Sequence, residues 1–138
     1  AVDATSTGSM NGQLSLTISH TTSGTDRLML VGVATDPHGS TVSSVTYNGV
    51  NLSLVGFEEN AGDHSRVEIW SLVAPDTGTN NVVVTMTGTH YKGMVAGVMT
   101  FTGVAITIKS KTSGSATGLG IRSLASARFL ELISLNQT

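Results

Sequence analysis

Cysteine is absent from the chain. That excludes disulfide frameworks, thiolate metal sites and cysteine nucleophiles. Charge is sparse as well. Charged residues are 12% and the formal net charge is -2, so no basic stripe exists to hold a phosphate backbone, and nucleic-acid binding is disfavoured. Aromatic residues are only 4%, which leaves the core to Val, Leu, Ile and Met. No apolar run is long enough for a transmembrane helix and no secretory signal pattern is present. Membrane insertion is therefore not expected.

What the chain has is turns. Sixteen glycines and many Ser and Thr residues break it at short intervals, a composition that favours turns and β-rich surfaces. The apolar fraction of 39% is ordinary and strongly patterned, so low charge does not signal disorder here. With 138 residues, one domain that buries its own core is the default.

The clearest local signal is Asn48-Gly49 between two alternating runs, Thr41 to Tyr47 and Val50 to Leu54. Both turn residues tolerate positive φ, so the pair favours a type I′ hairpin with a two-residue loop. That loop pairs Tyr47 with Val50 and Val45 with Leu52. All four side chains then share one face, with Thr46 and Asn51 on the other. Elsewhere Leu14, Leu16, Ile18 and His20 alternate with polar residues and read as a half-buried strand. Leu28 to Ala34 is a continuous apolar run, expected of a strand covered on both faces. Asp36-Pro37-His38-Gly39 is a turn. Glu58 to Ser65 reads as a polar loop. In the next strand Val67, Ile69 and Val73 share one face while Glu68, Trp70 and Leu72 share the other. Ala74 to Thr79 is a turn, and Val82, Val84 and Met86 face inward beyond it. Met94 to Phe101 is a second apolar run, in which Gly97 marks a bulge or a close backbone approach. Residues 110–120 form a flexible Ser/Thr/Gly loop. Residues 124–135 fit a helix or a buried strand equally well.

The order of these words resembles a module that recurs in large bacterial and archaeal surface proteins. The matching segments are Ser19-His20, Asp26-Arg27-Leu28-Met29-Leu30-Val31-Gly32-Val33, and Val45-Thr46-Tyr47-Asn48-Gly49-Val50-Asn51-Leu52. They continue with Val67-Glu68-Ile69-Trp70-Ser71-Leu72-Val73-Ala74-Pro75 and Phe101-Thr102-Gly103-Val104. The resemblance covers about residues 1–104. It implies an extracellular β-sandwich, often beside adhesion or glycan-active modules, and it transfers no catalytic residues. Members of that module usually carry further strands after the segment matching residues 130–135, whereas this chain ends at Thr138. A sandwich without those strands would expose an edge, and an extended N-terminal arm, residues 1–13, is the candidate to fill that edge on a neighbour.

Candidate chemistry is thin. Trp70 would stack on a sugar if exposed, but between Ile69 and Leu72 the core is its expected place. Tyr91, in the segment Thr89 to Gly93, is the better candidate for an exposed glycan contact. His20 ends a strand and is expected to be satisfied by local hydrogen bonds. His38, His64 and His90 sit in loops that could meet at one end of a sandwich, without metal-ligand spacing. No Asp-x-Asp-x-Asp run suggests calcium. Neither a Gly-x-Ser-x-Gly elbow nor a phosphate loop appears. Asn51 and Asn136 begin formal N-glycosylation triplets.

The expectation is an all-β chain: a single antiparallel β-sandwich over residues 1–138, jelly-roll-like, with no cofactor and no metal. Its expected function is a non-enzymatic structural or adhesive subunit, secreted or on the cell surface. Its partners would be further copies or neighbouring surface domains, with assembly into a filament by strand exchange. The alternative is a carbohydrate-binding module that contacts polysaccharide.

Overall fold

The structure, a computed structural model, describes residues 1–105. The segments 110–120 and 124–135 and the Asn136 triplet lie outside the described residues. Those described form nine strands and no helix: β1 (Val2–Met10), β2 (Ser15–Thr22), β3 (Leu28–Pro37), β4 (Val42–Tyr47), β5 (Val50–Asn51), β6 (Ser53–Asn60), β7 (Ser65–Val73), β8 (Gly78–Met86) and β9 (Tyr91–Phe101). Every pairing is antiparallel. The strands form a five-stranded sheet, β1-β9-β3-β7-β6, packed on a four-stranded sheet, β2-β8-β4-β5. The expected antiparallel β-sandwich is what the chain builds.

The order follows from one long folded hairpin. Its tip is Asn48-Gly49, with φ of 47° and 79°, the left-handed pair that a type I′ turn requires. Outward from the tip, β4 pairs with β5, β3 with β7, β2 with β8 and β1 with β9. The doubled ribbon then rolls up, and β3 pairs with β9 while β4 pairs with β8. This nesting is the jelly-roll arrangement, with β6 as an added edge strand. At Leu52 the chain crosses from one sheet to the other, and the Leu52 amide still bonds the Val45 carbonyl at 2.8 Å.

The hairpin register is the expected one, with Tyr47 opposite Val50 and Thr46 opposite Asn51. Val45, Tyr47 and Leu52 are buried and Asn51 is exposed. Val50 is not buried with its partners, because β5 is an edge strand and nothing in the described residues lies beyond it.

The core is aliphatic and Met-rich as the composition requires. Met29, Val31, Val33, Val45, Val82, Val84, Met86, Met94 and Val98 are essentially inaccessible. Three expectations fail. Glu58 to Asn60 belong to β6 rather than a loop. Gly97 forms no bulge; it pairs in register with Gly32 and Thr7. The apolar run Leu28–Ala34 is not covered on both faces along its length, for Leu28 is buried but Leu30 is half-buried and Ala34 exposed. The run Met94–Phe101 beside it is likewise open on one side. Their strands lie inside the sheet, yet Ala34, Val95 and Met99 point outward and are exposed among the described residues.

Residues 1–13 are not a free arm. Residues 2–10 form β1 and pair along their length with β9 of the same chain. β9 therefore lies between β1 and β3, and the described sheet does not need a strand beyond Val104 to cover β9. The word Phe101-Thr102-Gly103-Val104 closes this end of the sandwich. Ala1 and Thr102 exchange backbone hydrogen bonds, and the Gly103 and Val104 amides donate to Thr25 and Asp26 carbonyls.

Candidate functional site

Three places on the described residues combine chemistry with position. The first is a polar relay between the sheets. Ser6 Oγ lies 2.8 Å from His20 Nδ1 and His20 Nε2 lies 3.1 Å from Thr100 Oγ1. Thr100 Oγ1 in turn donates to Asp3 Oδ2 at 3.2 Å. Because the Thr100 hydroxyl spends its proton on Asp3, it accepts from His20. This fixes the neutral Nε2–H tautomer, with Nδ1 accepting from Ser6. Asp3 also accepts from the Ser23 amide and hydroxyl, at 2.9 and 2.6 Å. His20 is 1% exposed and Thr100 is fully buried. Burial pushes the His20 pKa below its usual 6.5, against a smaller opposing pull from Asp3. The Ser23 hydrogen bonds hold the Asp3 carboxyl below its usual 3.8.

A Ser–His contact invites a nucleophile–base reading. The surroundings do not complete it. The second ring nitrogen meets a threonine rather than a carboxylate, and the imidazole is sealed from solvent. The relay instead connects β1, β2 and β9, holding an edge strand to the opposite sheet. Hydrogen bonds do satisfy His20, as expected, but its partners are 14 and 80 residues away in sequence rather than local. No local pattern could have announced that.

The second place is an open cleft of about 580 Å³ at one end of the five-stranded sheet, lined by Ser9, Asn11, Asp36, Asp63, His64 and Val95 among others. Two of the three loop histidines meet at its margin: His64, which lines the cleft, stacks on His38 with ring centroids 4.7 Å apart and planes at 22°. His64 holds a φ of 49°. The third, His90, contributes only its backbone, its carbonyl accepting from the His38 and Ser40 amides. Asp36 Oδ1 lies 3.0 Å from His38 Nε2, close enough for an ion pair but not aligned as a hydrogen bond. Nearly parallel imidazoles cannot aim their in-plane lone pairs at one ion. Among the described residues no group of three or more His, Asp or Glu is arranged to hold a metal.

The third place is the outer face of the five-stranded sheet. Three neighbouring rows cross it. One is Thr5, Met99, Leu30, Ser71 and Ser53; the next is Thr7, Gly97, Gly32, Ile69 and Gly56; the last is Ser9, Val95, Ala34, Val67 and Glu58. Glu58, at the rim, is the only charged residue of the three. Val95 is 57% exposed, Val67 50% and Met99 38%.

The aromatic candidates fall elsewhere. Tyr91, expected as an exposed glycan contact, is 5% exposed. Its hydroxyl accepts from the Gln13 amide at 2.9 Å and donates to the Gln13 carbonyl at 2.5 Å, tying the β1–β2 connection to β9. Trp70 is buried, as its strand position favoured, and its indole N–H donates to Glu68 at 2.9 Å. Tyr47 is inaccessible, its hydroxyl donating to the Gly78 carbonyl at 3.2 Å. Phe57 and Phe101 are half-buried. No aromatic among the described residues is exposed. Asn51 is exposed, so its triplet is accessible.

Sequence reasoning passed over Glu68. It is 2% exposed on the inner face of β7, where Arg66 Nε donates to it at 2.6 Å. Arg66 also reaches Glu59 at 2.6 Å and lies 3.8 Å over the Phe57 ring. The visible signal was Glu68 sharing a strand face with Trp70, an acid placed on an otherwise core-facing side.

The chain matches no family model, no curated protein and no solved structure.

Proposed function

We propose that this chain is a non-enzymatic structural or adhesive subunit, secreted or displayed on a cell surface, whose partners are further copies or neighbouring domains. One observation carries the reading: none of the described aromatics is exposed, while an outer sheet face with a single charged residue, Glu58 at its rim, carries the exposed Val95, Val67 and Met99. Sugar platforms need exposed rings to stack on pyranose faces, whereas contiguous apolar surface is the mark of protein association. Composition supports the extracellular setting: no cysteine, few lysines, and abundant Ser, Thr and Gly. Assembly by strand exchange belongs to the same reading. In such an exchange a neighbour's residues 2–10 would take the place beside β9 that the chain's own β1 now fills, and repetition head to tail would give a fibre.

The test combines glycan binding with microscopy. The chain's single tryptophan makes the first part simple. Emission from buried Trp70 should be blue-shifted and should not move when soluble polysaccharides are added. Negative-stain images should reveal assemblies that a deletion of residues 1–12 abolishes. Saturable polysaccharide binding would replace this reading with the carbohydrate-binding one. Turnover of an ester or glycoside lost with one Ser6 or His20 substitution would replace it with an enzymatic one.

A further inference from the structure

We infer that the outer face of the five-stranded sheet is the contact surface for a second copy of this chain, in a closed two-fold dimer. The inference rests on the structural-subunit reading and names the partner of that face.

The face is shaped for its own image. Gly97 and Gly32 pair directly at its centre, and neither carries a side chain, so their row is a furrow across two strands. Met99 and Leu30 form the ridge on one side; Val95, Ala34 and Val67 form the wall on the other. A two-fold axis lying in the interface, parallel to the rows and between ridge and furrow, seats each copy's Met99–Leu30 ridge in the other's glycine furrow. The contact is then reciprocal, as an isologous interface must be. Size agrees. Five strands spaced ~4.8 Å and three rows ~6.8 Å apart give roughly 490 Å² per copy, about 1,000 Å² in all, which is at the ~1,000 Å² a specific interface needs. Composition agrees too: a like surface brings no charge that must be desolvated except Glu58 at the rim, and a charged partner would find no counter-ion here.

The fold permits a test that separates association from folding. A Cβ built on Gly97 meets no atom within 4 Å, and Gly97 is not among the positive-φ glycines. Gly97→Val should therefore leave the fold as stable as before, or more so, while filling the furrow. Val95→Glu places a carboxylate at an exposed position that the dimer would bury. The full chain is followed by sedimentation velocity and light scattering up to roughly 100 µM, well above a micromolar dissociation constant. The unmodified chain should sediment at twice its chain mass, or at multiples of that pair where exchange of residues 2–10 links pairs together. Val95→Glu should weaken association more than about a hundredfold, since the dimer would bury an unpaired charge. Gly97→Val should weaken it as well, with no loss of thermal stability.

An unmodified chain that stays monomeric overturns the proposal. If that monomer binds no hydrophobic dye, residues 106–138 of the same chain become the occupant; if it binds dye, the occupant is a different protein. A dimer that neither substitution affects also overturns it. A monomer indifferent to polysaccharide sinks this inference alone, whereas a dimer that binds polysaccharide sinks the parent reading and leaves the interface standing.

Discussion

At the scale of single residues, Gly49 and Glu68 carry disproportionate weight for different reasons. Gly49 sits at φ 79°, and a Cβ added to it would meet nothing within 4 Å, so space is not its constraint. Backbone conformation is. A β-branched side chain in the left-handed region costs about 1–2 kcal/mol, and that is the loss expected for Gly49→Val in urea denaturation, with the m-value unchanged. Glu68 is constrained by charge. Its carboxylate accepts from Arg66 and from Trp70 inside the sandwich. Removing one partner of a buried pair costs about 3–5 kcal/mol. Arg66 keeps Glu59, so Glu68→Ala should lie near the lower bound, about 3 kcal/mol. Glu68→Gln can still accept from Trp70 and should cost less. Equal losses for the two variants would mean that charge plays no part there.

At the scale of elements, β1 is the strand whose attachment depends on pH. One of its edges pairs with β9 and the other is unpaired among the described residues. Its hold on the opposite sheet runs through Ser6, His20, Thr100 and Asp3. The folded pKa of His20 lies below 6.5 and that of Asp3 below 3.8. In each case the unfolded state takes up its proton first as pH falls. Both groups therefore contribute stability above their unfolded pKa values and lose it on acidification. The His20 loss begins as pH drops through about 6.5, and the Asp3 loss follows below about 3.8. Melting temperature should fall between pH 7 and pH 5, with β1 amides gaining hydrogen exchange ahead of β3 amides. His20→Gln should flatten that limb. An unchanged slope in His20→Gln would assign the acid sensitivity to another group.

At the scale of the whole molecule, two kinds of assembly differ in geometry. Pairing through the outer face is isologous and closes at two copies. Exchange of β1 is head-to-tail and does not close. The two overlap only at β1, whose Thr5, Thr7 and Ser9 belong to the outer face; Val95 and Gly97 point outward from β9, whereas the exchange replaces the strand beside it. They can coexist, giving paired filaments, and the Gly97→Val and residues 1–12 variants separate them.

The amino-acid sequence alone determined what depends on near neighbours. Positive φ at Asn48-Gly49 and period-two alternation were enough to place the hairpin tip, its register and the antiparallel class, because both act within a few residues. Burial of Trp70 followed from its strand neighbours in the same way. Only the tertiary structure decided the rest. A continuous apolar strand does not say which of its faces lies inside, and the rolling of the ribbon left Val95, Met99 and Val67 outside. Tyr91 looked like a loop aromatic until β1 and β9 closed around it. His20 meets Thr100 across 80 residues, a contact that exists only once the ends of the nested hairpin come together. Those long-range pairings set the candidate surfaces, and local pattern carries no record of them.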